Sequence, residues 1–318
     1  MSTRLRALIV LGACAMLVTV AAGVASGSRS GAADGKIKVT LLTKSTGGFW
    51  DAMIAGAKNY AKTHPNEIAL TTNACKTNDD TPCQIAEIQD AVTKGAKAIV
   101  ISPMGVGVTA ALNKAKKAGV RIVFVDNTIP GVVPTAVAAT NNVKGGLAAG
   151  AYIKTRLKSG DTIGLLEAVR GVPNLDQRID GVKKALEGTG VKVVIGAEQT
   201  LCDPKTGASV TQDLLTKYPD LTAVYSACDS PAIGAVSVAE SKQHPLKIFG
   251  YDGDPEMAKL ILAGKTTATM AQSPFRMTYL GIQAAVKSLK GQKYVKRIDT
   301  GTTLVTKANA AKFTKAWQ

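Results

Sequence analysis

At 318 residues the chain is longer than a usual single domain, and length alone points to about two domains. A hydrophobic share of 46% with 4% aromatics fits a soluble protein cored by Ala, Val, Ile and Leu, and excludes a disordered chain. The net charge of +16 raises nucleic acid as a partner, yet the lysines are scattered singly along helical patterns such as "ALNKAKKAG" and "GVKKALEG", without arginine-rich tracts or interleaved aromatics. They read as solvated basic helix faces and not as a nucleic-acid site. Contact with an anionic cell envelope is the other use such charge has.

Residues 1–33 read as an export signal and linker. Arg4 and Arg6 precede an uncharged apolar run to Val24, and small residues and a Gly/Ser-rich stretch come next. These are the three zones of a secretory signal peptide, cut after Ala25 or within the next several residues. A membrane anchor is the alternative, because roughly 18 to 20 apolar residues span a bilayer. The small residues and linker stand where an anchor would carry basic residues, which favours cleavage. "LGAC", ending at Cys14, loosely resembles a lipidation box, but the apolar stretch before it is short. The expected location is the periplasm or the extracytoplasmic face of a bacterial cell.

From Lys36 onward, short β-branched runs alternate with helical patterns of ten to fifteen residues, the signature of βα units and a parallel sheet. The first set of strands is predicted at 37–42, 68–72, 98–102, 121–126 and 136–140, with helices near 50–62, 83–94 and 107–118. A second set is predicted at 162–166, 192–195, 222–226, 247–252 and 267–271, with helices near 144–158, 174–187, 206–217 and 231–241. Two lobes of similar plan thus stand in series. Ligands of open parallel sheets bind beyond the carboxyl ends of the strands. That directs attention to "TKSTGGFW", "SPMG", "VDNT", "SACDS", "GYDGD" and "MAQSP".

Four cysteines remain once Cys14 leaves with the signal: Cys75, Cys83, Cys202 and Cys228. In an oxidising compartment an even number points to two disulfides, with three possible connectivities. Cys75 and Cys83 bracket the short loop "CKTNDDTPC", so a local bridge is the simplest choice, and it leaves Cys202 with Cys228. Zinc is not expected, because there is no CxxC and both histidines sit in turn-like "THP" and "QHP".

"GVGVTA", Gly105 to Ala110, matches a dinucleotide fingerprint, and Asp126 ends the next strand. However, Ser102, Pro103 and Met104 separate it from its strand, and an ordinary helix-start loop explains both glycines. No cofactor is expected. GxSxG, the Walker lysine motif and HExxH are absent, and neither His64 nor His244 stands where a general base belongs. An enzyme is not expected.

The pieces "GFWDAMIAGAKNYAK", "IQDAVTKGAKAIVISP", "AGVRIVFVDN", "ATNNVKGGLAAGAYI", "RIDGVKKAL", "QDLLTKYPDLTAVYSACDSPAIGA", "IFGYDGDPE" and "GKTTATMAQSPFRMTYLGIQAAVKSLKG" occur in an order and spacing that resemble the ribose-binding family of periplasmic solute receptors. The resemblance covers about residues 37 to 306. It implies the type I fold: two doubly wound parallel-sheet lobes of α/β class joined by a three-segment hinge. The first lobe would take 36–140 and 273–301, the second 141–272 and 302–318, with crossings near 140–142, 272–274 and 301–303.

The resemblance also implies a ligand set. Phe49 and Trp50 match an aromatic pair that covers the C–H face of a sugar, and Asp126 matches an aspartate for its hydroxyls. Arg178, Tyr251, Asp252 and Gln272 match second-lobe and crossover positions. Four positions depart from the ribose pattern: Gly47 lacks an asparagine side chain, Asn127 stands where arginine is frequent, and Cys228 and Cys202 replace an asparagine and an aromatic. Those two cysteine positions are close in the family, which supports their pairing and a rigid apolar cleft wall. Ribose gives way, on this reading, to another monosaccharide, a sugar alcohol or a small furanose-like signal.

The implied function is capture of that polyhydroxylated ligand for an ABC permease, by a monomer that closes about its hinge. A sensory receptor feeding a chemotaxis or kinase partner is the alternative. A transcription regulator of the same fold would need a helix-turn-helix where the export signal stands.

Overall fold

The computed structural model describes residues 35–167, 171–196, 202–315 and Trp317. The chain divides into two compact units, Met1–Gly35 and Lys36–Gln318. The predicted export signal, 1–33, lies outside the described residues. Every described helix and strand belongs to the second unit.

Its first elements are β1 (Ile37–Thr43), α1 (Gly48–Thr63), β2 (Ile68–Ala74), α2 (Thr81–Thr93), β3 (Ala98–Ile101), α3 (Thr109–Lys117), β4 (Arg121–Val125) and β5 (Ala136–Ala139). Then come α4 (Asn142–Lys154), β6 (Thr162–Leu166), α5 (Pro173–Leu186), β7 (Lys192–Ile195), α6 (Pro204–Lys217), β8 (Leu221–Ser226) and α7 (Asp229–Ser241). The last are β9 (Lys247–Asp252), α8 (Pro255–Leu262), β10 (Ala268–Ala271), α9 (Pro274–Leu289), β11 (Arg297–Asp299) and β12 (Thr303–Val305).

One sheet has the order β2-β1-β3-β4-β5-β11 and is parallel throughout. The other has the order β7-β6-β8-β9-β10-β12 and is parallel except for the antiparallel pair β10–β12. The last five residues of β1 and all four of β3 are buried. Unbroken apolar runs of this kind suit a parallel sheet covered on both faces by helices.

Alternation across each strand divides the core by face. In the first lobe Val39 and Leu41 pack with Met53, Ala57, Met277 and Ile282 from α1 and α9, whereas Leu42, Ile99 and Phe124 pack with Ile88 and Leu112 from α2 and α3. In the second, Ile163, Leu165 and Phe249 meet α4 and α5, while Val224 and Ile248 meet α6, α7, α8 and Phe313 of the C-terminal segment. Each such large apolar side chain contributes about 1.5–3 kcal/mol by leaving water.

The chain passes between the sheets three times: β5 to α4, β10 to α9, and β11 to β12. The crossings are bonded to one another. Thr140 Oγ1 donates to Gln272 Oε1 at 2.7 Å, and Asp299 Oδ1 accepts from Asn141 N at 3.1 Å and from Gly301 N at 2.9 Å. Helices α8 and α9 and strands β11 and β12 are absent from the sequence-predicted set; three-residue strands are too short for a period of two to register. "GVGVTA" forms a 3-10 turn at Val106–Val108 ahead of α3, so its glycines do not turn directly from strand to helix.

Both disulfides are formed, Cys75–Cys83 with Cα atoms 6.0 Å apart and Cys202–Cys228 at 5.7 Å. Among the described residues no helix is long and apolar enough to cross a membrane.

Candidate functional site

The carboxyl ends of β1, β3 and β4 gather one half of the site. After β1 the chain turns through Gly47, whose φ of 87° suits glycine, and Asp51 Oδ1 accepts its N–H at 3.1 Å as α1 begins. That turn presents Phe49 and Trp50, both half-buried, edge to face with centroids 5.2 Å apart. The Lys44 ammonium lies 5.7 Å from the Trp50 ring and 3.7 Å from Asp126 Oδ2.

Asp126 interrupts β4 one residue earlier than expected because its φ is 66°. Ser102 Oγ, at the end of β3, donates to Asp126 Oδ2 at 2.9 Å and lies 3.1 Å from Asn127 Oδ1. Asn127 Nδ2 donates to Pro103 O at 2.9 Å. Asn127 Nδ2 thus helps hold the two strand ends together. Asp126 Oδ1 has no hydrogen-bond partner among the described residues.

The other half is built around Arg178 on α5, which is only 2% exposed. A Cβ on Gly146 would stand 2.6 Å from Arg178 O, so glycine there lets α4 and α5 approach and sets the depth of the arginine. Nε donates to Asn142 Oδ1 at 2.9 Å, and Nη1 to Ala227 O at 2.8 Å and to Asp252 Oδ1 at 3.0 Å. The Tyr251 ring underlies the guanidinium at 4.0 Å. Tyr251 is 0% exposed, so it props Arg178 and offers no face to solvent. Three of the five N–H groups are engaged; the two on Nη2 have no partner among the described residues.

Asp252 Oδ1 also accepts Gln272 Nε2 at 2.7 Å. Burial raises the Asp252 carboxyl above the usual range, Arg178 and Gln272 pull it back, and the charge of Asp126 raises it further. That repulsion joins residues of opposite sheets. Deeper still, Asp229 accepts from Gly253 N at 2.8 Å, Asp254 N at 2.7 Å and Thr269 Oγ1 at 2.7 Å, and burial followed by Asp252 raises its carboxyl. The Cys202–Cys228 bridge adjoins Ala227, whose carbonyl holds Arg178. Asp126, Cys202 and Asp252 are three of the four non-glycine residues with positive φ among those described. Such strain, about 1–3 kcal/mol each, concentrates at functional sites.

Sequence reasoning did not single out Lys44, Ser102, Asn142 or Trp317. Lys44 and Asn142 stand inside segments it quoted. Trp317 carries no local signal, yet its ring is edge-on to Phe49 with centroids 5.5 Å apart. A separate cavity of about 210 Å³ lies between the β1–β2 edge and α2, where Asp90 and Lys94 pair at 2.7 Å; none of the site residues described above lines it. No group of three or more metal-ligating side chains occurs among the described residues.

A sequence profile for the periplasmic binding protein domain matches residues 37–293. The D-ribose/D-allose-binding protein of Pseudomonas aeruginosa is 32% identical over 301 residues, 92% of each chain. An ABC transporter solute-binding protein from Burkholderia multivorans, solved with an unknown ligand interpreted as alpha-D-erythrofuranose, is 32% identical. It superposes with a TM-score of 0.78 over 85% of this chain and 99% of its own. A carbohydrate transporter solute-binding protein from Agrobacterium radiobacter, in complex with D-arabinose, is 26% identical, with a TM-score of 0.78 over 89% of this chain and 99% of its own. With its two doubly wound lobes and three crossings, the chain belongs to the periplasmic binding protein family.

Proposed function

We propose that the protein is an extracytoplasmic solute-binding protein of an ABC importer, a monomer that captures a monosaccharide or sugar alcohol between its lobes and presents it to a permease. The observation that carries this reading is a set of polar atoms without a hydrogen-bond partner among the described residues: Asp126 Oδ1 beside one sheet, and Asp252 Oδ2 and, from α5, Arg178 Nη2 in the other lobe. Carboxylate oxygens accept from hydroxyl groups and the guanidinium donates to them, which is the bonding a polyol offers in both directions. The two carboxylates are matched by Arg178 and Lys44, so an uncharged ligand leaves the site balanced. Half-buried Phe49 and Trp50 supply apolar surface for C–H faces.

Closure comes from ligand contacts made to both lobes at once, since a ligand shifts an equilibrium only by its differential affinity for the two states. The three bonded crossings form the hinge. The named relatives are sugar-binding and transport proteins, which favours import over the sensory alternative.

A thermal-shift screen of the exported protein against monosaccharides, sugar alcohols and small furanose signals tests the proposal. A ligand of micromolar affinity adds about 4 kcal/mol of apparent stability at a thousandfold excess. A hit that disappears in Asp126→Ala supports it. Silence across the panel from folded, ligand-free protein, or a hit unaffected by Asp126→Ala, overturns it.

A further inference from the structure

A row of cations of the first lobe lies at the pole opposite the candidate site. In a parallel sheet the strand amino ends and the helix carboxyl ends share one rim, and here both carry lysine or arginine. Lys97 N donates to Lys38 O at 2.8 Å and Arg121 N to Lys97 O at 2.9 Å, so the entries of β1, β3 and β4 stand side by side. Val137 N donates to Lys296 O at 2.8 Å, which continues the row to the β5–β11 edge. At about 4.8 Å between strands, five strands make a row about 20 Å long.

Lys38, Lys97, Arg121, Lys296 and Arg297 are all exposed. None of them forms an ion pair among the described residues, while the nearby acids Glu67 and Asp90 are occupied by Lys290 and Lys94. The ends of α3 add Lys114, Lys116 and Lys117. The corresponding rim of the second lobe carries exposed cations too, among them Lys154, Lys158, Lys192, Lys217, Lys242 and Lys247, but the acids Asp161, Glu187, Asp220 and Glu240 stand among them. The share of acidic groups on the rim distinguishes the lobes.

We infer that the cationic rim of the first lobe is a docking surface for an anionic phospholipid surface. A row of exposed lysine and arginine carried on neighbouring strand ends matches a two-dimensional array of phosphates. Attraction of this kind is electrostatic, additive over the row, and screened by salt within about 8–10 Å.

The test measures binding of the exported protein to vesicles containing phosphatidylglycerol, as the excess over pure phosphatidylcholine vesicles, at low and high salt. The expected result is salt-sensitive binding that falls about a hundredfold in Lys97→Glu/Arg121→Glu/Lys296→Glu. The control Lys158→Glu/Lys242→Glu/Lys247→Glu changes net charge equally on the second rim, and it should keep most of the binding. Thermal melts confirm that both variants remain folded. Equal loss in the two variants would show that net charge alone acts, and unchanged binding in the first would remove the rim; either overturns the inference. So would a first variant that loses duplex DNA binding but retains vesicle binding, which would make the rim a nucleic-acid surface.

Discussion

Gln272 Nε2 donates to Asp252 Oδ1 at 2.7 Å, and the same oxygen receives Arg178 Nη1 at 3.0 Å. Through its own Oε1, Gln272 holds Thr140 on the first crossing. One side chain on the hinge therefore ties the first crossing to the Asp252 carboxylate. Gln272→Ala is expected to cost about 1–3 kcal/mol of stability through the abandoned buried partners, and to weaken ligand binding about tenfold. Gln272→Glu should do worse, because it sets a second carboxylate against Asp252. Calorimetric titration and thermal melts check both, and a better-tolerated glutamate would refute the bridge.

Arg178 makes one of the few nearly buried ion pairs, at 2% exposure against 18% for Asp252. Arg178→Ala leaves a carboxylate without its cation and is expected to destabilise the protein by about 3–5 kcal/mol. Arg178→Lys recovers little, since one ammonium cannot serve Asn142, Ala227 and Asp252 in their forked arrangement. Adding Asp252→Asn to Arg178→Ala removes the orphaned charge. Urea melts should then show the double variant more stable than the sum of its parts, and simple additivity would count against the pairing.

Asp229 and Asp252 are both held above the ordinary carboxylate range, chiefly by burial. A folded value above the unfolded one means the native state binds the extra proton. The stabilisation is complete below about pH 4 and is lost as pH rises through the raised folded values. Asp229→Asn removes one of these protons. Its thermal melts should therefore show less decline between about pH 5 and pH 8 than the parent. Its stability at pH 5 should be lower by about 1 kcal/mol, because the amide oxygen can keep the Gly253 and Asp254 N–H groups only by turning its nitrogen toward the Thr269 hydroxyl, which now donates to the carboxyl. Parallel pH profiles for the two proteins would contradict this.

Phe49 meets Trp317 as well as Trp50. The segment before Trp317 belongs to the second lobe, where Phe313 packs into the core, so this ring pair spans the lobes. Trp317→Ala is expected to speed ligand release about fivefold, in line with roughly 1 kcal/mol for an aromatic pair. Trp317→Phe should restore most of the difference in stopped-flow dissociation. Equal rates in all three proteins would leave the contact without a role in closure.

Ten strands, seven helices and their two-lobed plan were legible in the sequence, because unbroken Val/Ile/Leu runs and helical periods are local signals. Helix α9 escaped, although it carries Met277 and Ile282 into the first core, and the two crossing strands are shorter than any period. Asp126, Arg178, Asp252 and Gln272 were singled out through the resemblance; the structure places Asp126, Asp252 and Gln272 at strand ends and Arg178 on α5, bonded to Asp252. Which atoms remain available was decided only by the tertiary structure. Asn127 and Tyr251 were expected at the ligand; the structure bonds Asn127 Nδ2 to Pro103 O and lays the Tyr251 ring beneath Arg178. Lys44, Asn142 and Trp317 enter the site through partners far along the chain, just as Thr140 meets Gln272 across 132 residues. Periodicity sets the elements because each is stabilised by its neighbours in sequence. The direction of a side chain at a strand end is set by groups that only folding brings near.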